Sequence, residues 1–97
     1  MDSHYVYLII EREFIKTKEN IYAIGKTTQP TKRFAQYPKG SNLIKLEKVS
    51  NCDNCETIIK KEFAKNFIQR KDIGTEYFEG DINDMCILMS DICNAMR

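Results

Sequence analysis

Apolar and polar positions change their period along this chain, and the changes mark out its elements. From His4 to Ile10 the residues are mostly β-branched, aromatic or aliphatic, the composition of a strand. Residues 11–19 are charged and polar, which predicts a solvated hairpin end. Residues 20–25 return to strand character and are expected to stop at Gly25, pairing antiparallel with the first strand across the short connection. Pro30 suits the first turn of a helix, where its missing N–H costs nothing, and Pro38-Lys39-Gly40-Ser41 ends that helix after Thr31–Tyr37. Leu43, Ile44, Leu46 and Val49 predict a third strand over 42–50.

The second half reads as helices. Asn51 to Asn54 supply capping residues, and Ile59, Phe63 and Phe67 recur every four residues, which predicts a helix to about Gln69. Lys71-Asp72-Ile73-Gly74 closes it, and Thr75–Phe78 reads as a short extended piece that packs aromatics onto the core. Asp81 caps a last helix whose stripe is Ile82, Met85, Cys86, Met89, Ile92, Cys93 and Met96. The expected fold is a small α/β domain: a three-stranded, mostly antiparallel sheet flanked by helices, in the order ββαβα(β)α.

Composition narrows the class. At 97 residues, 42% hydrophobic and 30% charged, the chain is read as one globular domain over 1–97. No apolar run approaches the roughly 20 residues of a membrane span, and Met1-Asp2-Ser3-His4 does not resemble a secretory signal. An intracellular protein without a membrane partner is therefore expected. The net charge of +1 conceals a division. Residues 1–71 hold 14 Lys/Arg against 8 Asp/Glu, a net +6, while residues 72–97 hold 1 against 6, a net −5. A basic body with an acidic end suits a polyanion, DNA above all, and ordinary solvated charge is the bland alternative.

Two side-chain groups need a reason. Cys52-x-x-Cys55 has the spacing of half a zinc site, but Cys86 and Cys93 are seven apart and His4 is the only histidine. Core cysteines are the favoured reading. Glu56 stands three residues before Ile59 and seven before Phe63, so a carboxylate projects from the helix's first turn on its inward face. The bland account is a favourable charge at a helix N-terminus.

Tyr5-Val6-Tyr7, then Ala23-Ile24-Gly25-Lys26-Thr27, then Arg33, then Glu56 on a later helix resemble a GIY-YIG nuclease domain in order and spacing. The run Gly74-Thr75-Glu76-Tyr77-Phe78 is similar to the end of the phage and large-virus branch of that family, which suggests a viral or mobile-element protein acting inside its host. The resemblance implies cleavage of DNA phosphodiester bonds with one divalent ion, Mg2+ or Mn2+. By position, Tyr7 matches the tyrosine that touches the attacking water and Arg33 the arginine on the scissile phosphate. Glu56 matches the metal-holding carboxylate. Tyr37, one helical turn after Arg33, matches a residue that contacts the reacting group, and Lys26 a lysine that holds phosphate or lowers a phenol's pKa. Lys26, Lys32, Lys39, Lys45 and Lys48 would line the phosphate track.

The sequence departs from the family's pattern in three places. Tyr5 replaces the first motif's glycine, and no asparagine follows the Glu-bearing helix at the usual place. Ala23 occupies the second motif's tyrosine position, with Tyr22 one residue early. Strand residues alternate faces, so Tyr22 takes that role only through a slip or bulge. Singly, Tyr7 also reads as a strand aromatic and Arg33 as a surface residue. Two alternatives to an endonuclease follow: a DNA-binding domain of the same fold with impaired catalysis, and a protein-interaction module that self-associates or binds a partner through 82–96.

Overall fold

In the computed structural model, which describes residues 2–97, the elements run β1 (His4–Ile10), α1 (Arg12–Thr17), β2 (Ile21–Thr27), α2 (Pro30–Phe34), β3 (Asn42–Val49), α3 (Cys52–Asn66), β4 (Ile68–Gln69), β5 (Tyr77–Glu79) and α4 (Ile82–Ala95). The strands make one sheet in the order β3-β1-β2-β5-β4, and each neighbouring pair is antiparallel. The α/β class is as expected; the sheet has five strands rather than three.

Strand alternation divides the sheet's residues between two faces. Val6, Leu8, Tyr22 and Ile24 face α3 and α4, where they pack with Ile59, Phe63, Met85 and Met89 in the main core. The capping residues act as the sequence suggests: Asn51 Oδ1 accepts from the Asn54 N–H at 3.1 Å, and Asp81 Oδ1 from the Asp84 N–H at 3.1 Å. Tyr7, Ile9 and Ala23 face the other way, against Phe34 and Tyr37 from the α2 region and Tyr77 of β5.

Four details differ from the sequence reading. The connection after β1 contains α1, because Phe14 has a place to bury, edge-on to Tyr77 at 6.2 Å. Six residues carry too little periodicity to announce a helix. Second, β2 does not stop at Gly25 but runs to Thr27. Gly25 is the register partner of Tyr7, and a Cβ there would overlap the Tyr7 ring and hydroxyl. The glycine is needed for this close approach rather than for a turn. Third, α2 is shorter than expected, ending at Phe34. Fourth, α3 ends at Asn66 because Phe67 turns extended at φ −132°, ψ 171°. Its ring still lies 5.0 Å from Phe63, so the four-residue stripe persists beyond the helix and disguises β4.

The four thiols are free; Cys52, Cys55 and Cys93 are buried, and Cys55 meets Cys93 at 3.9 Å between sulfurs. Met85, Met89 and Cys93 of α4 face this core, so the methionine stripe of 82–96 is not an outward surface; Ile87 is the exposed apolar residue of that helix. Among the described residues no helix is long and apolar enough to cross a membrane.

Candidate active site

The sheet has a notch. Strand β5 pairs with β2 only over Ile21–Ala23, and the Ile24 N–H is taken by the Glu76 carbonyl at 2.9 Å. Beyond that point the outer edge of β2 has no neighbouring strand. A cleft of about 280 Å³ lies there. Residues from both faces reach it: Gly25 and Lys26 of β2, Arg33 and Tyr37 from the α2 side, Glu56 from α3, and Glu76 and Tyr77 at the start of β5.

Behind the cleft is a hydrogen-bonded group centred on Tyr7. This tyrosine is fully buried, and its hydroxyl accepts from Arg33 Nε at 2.9 Å and lies 2.8 Å from the Tyr37 hydroxyl. Arg33 also donates through Nη1 to Gln36 Oε1 at 2.9 Å, and its guanidinium lies 5.4 Å from the centre of the Tyr37 ring. Phe34 closes edge-on over Tyr7 at 5.0 Å. One guanidinium edge is thus fixed by Tyr7 and Gln36 in a cleft that has space for an anion. Burial first, and then the Tyr7 hydrogen bond, raise the pKa of Tyr37 above the usual phenol value. Tyr37 lines the cleft as a neutral phenol; Tyr7 supports it from within and does not line the cleft.

On the opposite wall, the Glu56 side chain is 14% exposed, with its Oε1 3.7 Å from Lys26 Nζ and 3.5 Å from Lys60 Nζ. It begins the second turn of α3; the first-turn acid is Asp53. The helix-end account therefore describes Asp53 better than Glu56. Lys26 Nζ bonds Asp53 at 2.6 Å. That hydrogen bond, then Glu56, raises the pKa of Lys26, and Lys26 in turn lowers that of Asp53. Lys26 is engaged by carboxylates and not by a phenol.

The remaining expected residues are dispersed. Tyr22 is 6% exposed in the main core, where burial first and then Asp81 and Cys86 raise its pKa; it does not line the cleft. The alternation of β2 places it on the helix-covered face, and no bulge interrupts the β1–β2 register to turn it round. Ala23, on the opposite face, has Tyr77 as its register partner on β5, and Tyr77 lines the cleft while donating a hydrogen bond to Glu11. Lys32 lies beside Arg33 along a shallow groove with Thr27 and Gln29, and Lys39 sits in the turn before β3. Lys45 and Lys48 belong to β3, two strands from β2 across β1, and Lys45 is 3.8 Å from Glu47. Of the lysines expected along a phosphate track, Lys26 lines the cleft and Lys32 the groove that shares Arg33 with it.

The carboxylate that the resemblance assigns to a divalent cation, Glu56, is a hard-oxygen donor on the cleft wall. Among the described residues no group of three His, Cys, Asp or Glu side chains could form a full cage. This arrangement fits a largely hydrated ion bound through one carboxylate and a substrate phosphate, the usual habit of Mg2+.

The order of elements, the notch and the clustering of Arg33, Tyr37 and Glu56 describe a small α/β domain with a polar cleft at an open strand edge. The family profile described as the T5orf172 domain matches residues 4–93, and the chain belongs to that family, which is associated with nuclease-like proteins of phage type. No curated protein and no solved structure matches the chain.

Proposed function

We propose that this domain is a metal-dependent DNA endonuclease of the GIY-YIG kind, hydrolysing phosphodiester bonds with one Mg2+ or Mn2+ ion. The observation that carries the reading is the juxtaposition of Arg33 and Glu56 in one cleft, with Arg33 held by Tyr7 and free of any carboxylate partner among the described residues. Arg33 binds the scissile phosphate and stabilises the charge that grows on its oxygens. Tyr7 is a positioning residue, since its hydroxyl holds both Arg33 and Tyr37. Tyr37 supplies a phenol O–H to the reacting group. Glu56 would hold the metal, which supplies charge neutralisation at the phosphate. Lys26 is tied to Asp53 by an exposed pair that a phosphate displaces at little cost, so it serves as a second anion contact. On this reading specificity is weak or follows DNA structure.

The test is cleavage of supercoiled, nicked and branched DNA with Mg2+ or Mn2+ by the wild-type protein, Arg33→Ala and Glu56→Ala. Each variant should lose about 100-fold or more in rate, the size of effect seen when a charge-stabilising group is removed. Equal cleavage by all three proteins sinks the assignment. One observation favours a second reading: Ala23 leaves the second motif without its tyrosine, and Tyr7 is enclosed. Salt-sensitive DNA binding without cleavage at any metal concentration would identify a binding domain that has lost its chemistry.

A further inference from the structure

Hydrolysis needs an acceptor for the proton of the attacking water, and most of the cleft's charged and polar groups are otherwise engaged. Tyr7 is fully buried, and its hydroxyl is occupied by Arg33 and Tyr37. Tyr37 is kept a phenol by burial and by Tyr7, and so offers a donor rather than a base. Tyr77 donates a hydrogen bond to Glu11. Lys26 is an ammonium held by Asp53, and Arg33 has no acceptor atom. Glu56 is the carboxylate assigned to the metal, and its Oε1 already faces two ammonium groups, Lys26 and Lys60. Glu76 is the group that remains. It lines the same cleft, and its carboxylate makes no hydrogen bond or ion pair with any described residue. Its backbone is anchored, because its carbonyl accepts the Ile24 N–H at the mouth of the notch. Space is reserved for it too: a Cβ on Gly74 would overlap Glu76 Oε1 and press on the Tyr77 ring at 3.0 Å.

From this arrangement we infer that Glu76 is the general base of the cleft. The inference rests on the endonuclease reading and adds to it a residue in direct contact with the attacking water. The water oxygen forms a bond to phosphorus as its proton passes to the Glu76 carboxylate. The bond from phosphorus to the ester oxygen breaks, and that oxygen takes a proton from solvent. Glu76 then returns its proton to solvent. Arg33 and Glu76 divide the work: the unpaired cation of the cleft meets the phosphate, and the unpaired anion meets the water.

The experiment compares wild type, Glu76→Gln, Glu76→Asp, Gly74→Ala and Arg33→Ala. Cleavage rate is followed against pH at saturating Mg2+, and binding of the same DNA is measured alongside. Glu76→Gln should lose about 100- to 10,000-fold in rate, the span of general-base contributions. It should also lose the rise in rate with pH on the acid side, yet bind DNA within about threefold of wild type. Glu76→Asp should recover part of the rate and the acid limb. Gly74→Ala, which moves the carboxylate without removing it, should fall between. Arg33→Ala should be slow and keep the acid limb. If wild type cleaves, Arg33→Ala does not, and Glu76→Gln matches wild type, the inference fails while the nuclease reading stands. A slow Glu76→Gln that keeps the wild-type acid limb also overturns the inference, because a structural role would leave the pH profile unmoved. If wild type itself does not cleave, the nuclease reading fails and takes the inference with it.

Discussion

The two faces of one sheet are built for opposite purposes. The face under α3 and α4 is closed by Val6, Leu8, Ile24, Ile59, Phe63, Met85 and Met89, all at most 1% exposed. Its few polar atoms are thiols and one phenol. The other face carries a smaller buried cluster of Tyr7, Ile9 and Ala23, and the largest of them, Tyr7, is hydrogen-bonded to a surface arginine and a second tyrosine. On the first face close packing specifies the fold. On the second, a short helix and one buried hydroxyl position charged groups at an open strand edge. The same alternation of side chains that puts Leu8 in oil puts Tyr7 behind a polar cleft.

The largest effect expected from a single change is on the helix-covered face. Phe63→Ala removes a fully buried ring that meets Phe67 at 5.0 Å and Phe78 at 5.5 Å, and should cost about 3–5 kcal/mol in urea unfolding. Cleavage measured on its folded fraction should stay near wild type, and a specific loss there would blur the division between the faces.

Gly25→Ala comes next, and it acts where the faces join. The new methyl displaces the Tyr7 ring from a packed site, costing about 1–3 kcal/mol of stability, and it moves Arg33 and Tyr37 as well. Stability and cleavage should therefore fall together, with thermal unfolding and DNA nicking as the paired measurements.

Removing one hydroxyl from each face sharpens the contrast. Tyr7→Phe removes the atom that Arg33 and Tyr37 share, at about 1 kcal/mol of stability, and loosening Arg33 should slow cleavage by about 10- to 100-fold. Tyr22→Phe, on the helix side, removes a hydroxyl with no hydrogen-bond partner among the described residues and should change neither quantity appreciably. A Tyr22→Phe variant as slow as Tyr7→Phe would return Tyr22 to the site.

The smallest expected effect is on alkaline stability. Burial raises the pKa values of Cys52 and Cys55, pushes Cys93 up to about 12, and raises Tyr22, Tyr37 and Tyr77. In the unfolded chain these thiols lose protons near pH 8.5 and the phenols near pH 10. The folded state retains protons that the unfolded state has released, so stability is complete below about pH 8.5 and declines as pH rises. Urea midpoints from pH 7 to 11 should fall first with the helix-face thiols, and Cys93→Ala should lessen that first decline. A midpoint that rises over this range contradicts the burial of these groups.

Much of the fold can be read from particular residues. His4–Ile10 is a strand by composition, Asn51 and Asp81 cap their helices, and Ile59 and Phe63 lie on the buried stripe. The missing pieces are six-residue α1 and two-residue β4, whereas the short extended piece expected over 75–78 is present as β5. Six residues hold less than two helical turns, and two residues hold a single strand period, too little for either pattern to show. Phe67 shows how local pattern misleads, because it keeps helical spacing to Phe63 while its backbone has already left the helix.

The site divides in the same way. The resemblance in order and spacing to a nuclease domain singled out Arg33, Tyr37, Lys26 and Glu56, and all four line one cleft. Sequence reading missed Glu76 as a cleft residue; its signal was the Gly74-Thr75-Glu76-Tyr77-Phe78 run, whose strand partner is not visible without the sheet. It admitted Tyr22, which β2's alternation turns away, and Lys45 and Lys48, which lie on the far edge strand. By itself the sequence determined which residue types were available and on which local element each would stand, since propensity, capping and period act over a few neighbours. Tertiary structure decided that β5 pairs with β2 no further than Ala23 and leaves β2 open at Gly25, so that Arg33, Glu56, Glu76 and Tyr37 meet there. That meeting depends on sheet order and strand length, which are set by contacts between residues more than 50 positions apart and by the packing of α3 and α4 beneath them.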